Sequence, residues 1–180
     1  MSNILPEIKF FTLENSRIEY LFYEGSADTV LLLHATGFNP WLWHPIAREL
    51  QKNFTVIAPY ICDYAIAEPE DGGLSWYKIS EDITGLITSL KYNKLYIIGH
   101  SMGGAVATIS TYLNPITEKL FLIEPIFLPE HTYNKKITIE EHPLASKSIK
   151  RKNTWLNTED AKKYLKTKRL FSNWTDEILD

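Results

Sequence analysis

The apolar run Tyr96-Ile97-Ile98 ends in Gly99-His100-Ser101-Met102-Gly103-Gly104, and a helix-period segment begins at once. Few folds accept that junction. A chain leaving a buried strand must turn within a residue or two to start a helix, and the residue at the corner takes strained backbone angles. Its neighbours two positions either side approach each other closely, so side chains at 99 and 103 would collide. The corner therefore needs a strand before it, a helix after it and glycine around it, and the sequence provides all three. A serine held there projects its hydroxyl into solvent above the carboxyl edge of a sheet, where open α/β sheets bind ligands.

Around this junction, short β-rich runs alternate with helix-period segments from residue 8 to residue 124. "IKFFTL" (8–13) and "RIEYLFY" (17–23) read as an antiparallel pair joined by a Glu14-Asn15-Ser16 turn. "TVLLLH" (29–34) is continuously apolar, as a strand covered on both faces must be. Asn39-Pro40 opens a predicted helix with Trp43, Ile46, Ala47 and Leu50 facing inward, and "FTVIA" (54–58) is the next strand. A longer helix carries Trp76, Ile79, Ile83, Leu86 and Leu90 on one face. "KLYIIG" (94–99) precedes the corner. The helix after it turns Ala105, Val106, Ile109 and Leu113 inward, stops at Asn114-Pro115, and leads to a last strand, "KLFLIE" (119–124). Strands alternating with helices imply parallel pairing through right-handed crossovers, so the fold class is α/β.

Beyond residue 130 the texture changes. Residues 1–134 hold 8 basic and 15 acidic side chains, whereas 135–180 hold 11 and 7 and contain no buried-strand run. The expected division is a core over 1–130 and a partial helical cap over 131–180, with Thr158 as N-cap of a helix in "TEDAKKYLKTKRLF". The basic charges there are interleaved with acids and no stacking platform accompanies them, which argues against a nucleic-acid partner. No apolar run approaches ~18 residues and Glu7 and Lys9 interrupt the first ten, so neither a membrane nor a signal peptide is expected. The single cysteine, Cys62, cannot form an internal disulfide and reads as a small buried residue, consistent with a cytoplasmic location. No metal-ligand cluster or phosphate-cradling loop is evident, and no cofactor is expected.

"LLLHATGF" followed by a tryptophan, and then "GHSMGG", resembles the α/β-hydrolase superfamily, closest to its esterase- and lipase-like branch with a cap. The resemblance covers residues 8 to about 130 and implies a sheet ordered 1-2-4-3-5-6. It makes Ser101 the nucleophile toward a small acyl substrate and gives the Met102 N–H to the oxyanion. A second donor comes from the loop after the third strand, with Thr36 aligning best and Gly37 or Phe38 as alternatives. The family usually writes His-Gly where this chain has His34-Ala35, though several members share His-Ala-Thr-Gly-Phe. His34 itself reads as a structural group bonding the loop backbone. Gly37, Phe38, Trp41 and His100 fall around the substrate; Phe38, Trp41 and Trp43 divide between core and pocket wall. One departure is Asp63-Tyr64-Ala65-Ile66-Ala67-Glu68, where the family commonly has a glycine-rich Asp-x-x-Gly-x-Gly-x-Ser.

A serine hydroxyl needs a base within hydrogen-bond reach. The family's order is serine, acid, histidine, with the histidine after the last strand. Here Ser101, Glu124 and His131 stand in that order, and Glu124 occupies a position where some haloalkane dehalogenases place their acid. His131 follows Glu124 too closely to reach back easily, and His44, His100 and His142 fit no better. The expectation is a chain that lacks its base, is weak or inactive as it stands, and forms the front part of a longer hydrolase. The alternative is a non-catalytic ligand-binding or interaction protein on a hydrolase core. A sixth strand at the sheet's edge also predicts self-association.

Overall fold

The computed structural model describes residues 5–13, 17–61, 75–133 and 150–179. They group into two compact units, Met1–Lys136 and Ile137–Asp180. Glu14-Asn15-Ser16, Cys62, the Asp63–Glu68 stretch and His142 lie outside the described residues.

The first unit is built on one six-stranded sheet ordered β1-β2-β4-β3-β5-β6. β1 (Glu7–Thr12) and β2 (Arg17–Tyr23) pair antiparallel, and β2 pairs antiparallel with β4 (Thr55–Pro59). β3 (Thr29–Leu33), β4, β5 (Leu95–His100) and β6 (Thr117–Ile123) run parallel. The alternating pattern anticipates the α/β class, and the strand order is the one that the α/β-hydrolase resemblance implies.

All five residues of β3 are buried because the strand feeds two cores. Leu31 and Leu33 point into one cluster with Ile57, Leu95, Ile97 and the inner faces of helices α2 (Trp76–Ser89) and α3 (Met102–Leu113). Val30 and Leu32 point the other way, toward Leu21, Tyr23, Val56, Trp43 and Ala47. Alternation within a continuous apolar run is what a strand between two helical layers requires.

Two helix faces differ from the sequence pattern. Residues 40–50 form not one helix but a 3-10 segment, Pro40–Trp43, and then α1 (His44–Leu50). Asn39 caps the first turn, its side chain accepting the Trp41 N–H at 3.1 Å. The tighter 3-10 pitch shifts the phase of α1, so Trp43 and Ala47 are buried while Ile46 is 47% exposed. On α3, the fully buried stripe is Ala105, Val106, Ala107 and Ser110, and Ile109 and Leu113 are only half-buried. Small side chains let α3 approach α2, and the two buried serines bond across that contact. Ser80 Oγ, which also donates within α2 to the Trp76 carbonyl at 2.7 Å, reaches the Val106 carbonyl at 3.3 Å, and Ser110 Oγ donates to the Ser80 carbonyl at 3.2 Å.

β6 is covered least. Five of its seven residues are exposed, including Phe121 at 52% and Ile123 at 44%.

In the second unit, the helix Thr158–Lys166 is capped one residue earlier than expected: Asn157, not Thr158, accepts the Asp160 N–H, at 2.9 Å. Asn157 holds the extended angles of an N-cap, and asparagine outranks threonine there. Trp155 packs against Tyr164, and an ion pair from Lys166 to Asp176 ties this helix to the short one at Asp176–Leu179.

Candidate functional site

Ser101 is the single residue between β5 and α3, at φ 56° and ψ −117°. Only it and Glu124 (φ 45°) have positive φ among the described non-glycine residues. The surrounding glycines are required by what lies against them. A Cβ at Gly99 would stand 2.4 Å from the Gly103 carbonyl oxygen, and one at Gly103 would stand 2.3 Å from the Leu33 carbonyl oxygen. No side chain fits at such distances, so this corner seats only on glycine, with the end of β3 pressed against the start of α3. Gly104 faces the Pro125 ring, 2.8 Å from a built Cβ, and so makes room for the loop after β6.

The backbone of Ser101 is held from that same loop. Its N–H donates to the Ile123 carbonyl at 3.0 Å, and its carbonyl accepts from the Ile126 N–H at 3.1 Å and the Gly104 N–H at 3.0 Å. The register pairs His100 with Ile123, so Ser101 and Glu124 come next, side by side, at the carboxyl ends of adjacent strands. The two strained residues of the unit are thus neighbours. Glu124 is exposed there.

The loop between β3 and the 3-10 segment closes the other side. The Phe38 N–H donates to the Ala35 carbonyl at 3.2 Å, making a four-residue turn whose third residue, Gly37, sits at φ 76°. That is the position a type II turn reserves for glycine. With the Phe38 amide turned inward, Thr36 occupies the exposed outer corner of the turn, and its amide makes no hydrogen bond among the described residues. His34 is 1% exposed and braces the loop. Its Nε2 accepts the Ile61 N–H at 3.1 Å, which leaves the proton on Nδ1 to donate to the Ala35 carbonyl at 2.9 Å. Both nitrogens are committed to backbone.

The remaining predicted residues are dispersed. Met102 opens α3 and is buried, and His100 ends β5 half-buried. Trp43 lies in the core, Trp41 is half-buried against that same cluster, and Phe38 is half-buried. His131 is exposed in a short helix, Glu130–Tyr133. His44 is hydrogen-bonded through Nδ1 to the Tyr23 hydroxyl at 2.9 Å; burial, and then the positive Arg48, hold its pKa below the ordinary imidazole value. Among the described residues no histidine is hydrogen-bonded to the Ser101 hydroxyl, and no cluster suited to a metal ion occurs. No described helix is long and apolar enough to cross a membrane.

Sequence pattern found the serine and its glycines but missed the strain at Glu124 and the Tyr23–His44 pair. A turn signal would normally be glycine at 124, and nothing local in the sequence announces a left-handed glutamate.

A mostly parallel sheet in this order, with a strained serine where its central strand meets a helix, defines the α/β-hydrolase fold. The chain belongs to the alpha/beta hydrolase family, whose model matches residues 30–177. It is 32% identical over 103 residues to a soluble epoxide hydrolase of Corynebacterium sp. (57% of this chain, 36% of that protein). It is 29% identical over 119 residues to the uncharacterized protein Rv2715 of Mycobacterium tuberculosis (66% of this chain, 35% of that protein). The chain therefore spans about a third of the length of the curated relatives it matches. A thioesterase domain from the curacin biosynthetic pathway superposes with a TM-score of 0.74 at 21% identity, covering 97% of this chain and 65% of that one.

Proposed function

We propose that this chain carries the nucleophile of a serine hydrolase acting on a small ester or thioester. Ser101 Oγ attacks the acyl carbonyl, its proton passing to a base outside the described residues. The developing oxyanion is received by the Met102 and Thr36 N–H groups, the first at a helix N-terminus. Glu124 serves as the acid that orients the base, and Gly37, Phe38, Trp41 and His100 border the acyl group. The observation that carries this reading is the backbone of Ser101. A non-glycine residue held at φ 56° with glycines forced around it is strain, and strain of ~1–3 kcal/mol persists where it has a use.

The chemistry of the nucleophile separates this activity from that of the epoxide hydrolase relative. Attack of a serine oxygen on an epoxide carbon would leave an ether, which water does not cleave under enzymatic conditions. Attack on an ester or thioester leaves an acyl-enzyme, which water does cleave.

A second reading, a non-catalytic ligand-binding protein, draws on the absence of any described histidine bonded to Ser101. A fluorophosphonate probe distinguishes the two. The hydrolase reading expects slow labelling at Ser101, accelerated by added imidazole and absent in Ser101→Ala. Rapid labelling without imidazole would put the base within this chain. No labelling even with imidazole would favour the binding protein.

A further inference from the structure

Two short segments of the second unit place apolar side chains in water beside cations. In the first, Lys150-Arg151-Lys152 leads to Trp155 and to Leu156, which is 92% exposed. In the second, Lys168-Arg169 precedes Leu170, which is 56% exposed. Tyr164 brings the two together. The Lys168 ammonium lies 4.3 Å from the centre of its ring and the Lys152 ammonium 5.2 Å. The Trp155 ring stands 5.9 Å away.

Neither ammonium has a carboxylate partner among the described residues, so their charge is held by aromatic faces and left open to an outside anion. Residues 150–179 hold eight basic and four acidic side chains. A leucine at 92% exposure gains nothing from water. A surface that presents it among uncompensated cations is complementary to an interface that is anionic at its face and apolar just beneath.

From this geometry we propose that the Lys152–Trp155–Leu156 and Tyr164–Lys168–Leu170 surface docks on an anionic lipid bilayer. The lysines meet headgroup phosphates, and Leu156 and Leu170 enter the acyl boundary. This is docking and not spanning, and it differs from the expectation of no membrane partner because the sequence alone does not reveal how exposed Leu156 is. It stands independently of the hydrolase reading.

The test is co-sedimentation of the full chain with phosphatidylcholine vesicles, with and without phosphatidylglycerol, across a salt series. Tubes without vesicles correct for self-association. The chain is expected to pellet with the anionic vesicles only. The double variant Lys152→Gln/Lys168→Gln should bind about tenfold or more weakly at low salt. Leu156→Ser should retain low-salt binding but lose the fraction that survives high salt. Circular dichroism of each variant guards against misfolding. Absence of binding to anionic vesicles, equal binding to neutral ones, or variants indistinguishable from the parent chain would each overturn the proposal.

Discussion

β5 and β6 carry similar residues, Leu95-Tyr96-Ile97-Ile98 and Leu120-Phe121-Leu122-Ile123, and lie parallel side by side. Their surroundings differ. β5 is hydrogen-bonded along both edges, to β3 and to β6, and Leu95 and Ile97 are fully buried. β6 pairs with β5 alone among the described strands, and Phe121, Leu122 and Ile123 are exposed. An apolar run specifies that a strand forms. Its place in the sheet order decides how much that strand contributes, because burial comes from neighbours.

The largest expected effect lies where β5 ends. Gly103→Ala puts a Cβ into the Leu33 carbonyl and should cost about 4 kcal/mol or more, read as a fall in the urea midpoint. A small loss would mean that α3 can withdraw from β3, and would weaken the idea of a fixed corner. Next comes the direct pair. Ile97→Ala should cost about 3 kcal/mol, whereas Ile123→Ala, already 44% exposed, should cost less than about 1 kcal/mol. Equal losses would show that β6 is covered in solution.

Such cover is expected from a second copy of the chain against the β6 edge. Phe121→Lys, at a site 52% exposed, should shift sedimentation velocity toward monomer. An unchanged profile would remove β6 as the self-association surface. A smaller effect has the opposite sign. Glu124→Gly relieves the left-handed backbone at φ 45° and should raise stability by about 1 kcal/mol while lowering Ser101 labelling in the presence of imidazole. A loss of stability would assign Glu124 a structural task.

The smallest effect is a control on ionisation, which involves neither strand. The folded pKa of His44 lies below the unfolded value of 6.5, so the unfolded chain takes up the proton first. Stability should therefore decline as pH falls through 6.5 and below, until the folded His44 also titrates. The Ile97 and Ile123 variants should share that decline. Replacing His44 with glutamine should flatten it.

The strands and the serine corner are legible in the sequence because both rest on local patterns, whereas the sheet order follows only from the family resemblance. Apolar runs mark strands, and Gly99, Gly103 and Gly104 mark a place where backbones nearly touch. The exposure of Ile46 was not legible, since a short 3-10 turn ahead of α1 rotates the helical phase without changing composition. Nor was the burial of Ser110, which depends on Ser80, a residue thirty positions earlier. The strain at Glu124 is imposed from a distance too: main-chain bonds from Ile123 and Ile126 to Ser101 fix the residue between them, whatever its own preference.

Those bonds have an evolutionary consequence. They join main-chain atoms only, Ser101 N to Ile123 O and Ile126 N to Ser101 O, and so they are indifferent to the side chains carried at 124 and 126. Substitution can therefore rewrite the chemistry beside the serine without displacing the serine. Positions 124 and 127 form a natural site for combinatorial libraries, in which the surroundings of Ser101 can be varied while its backbone stays in register.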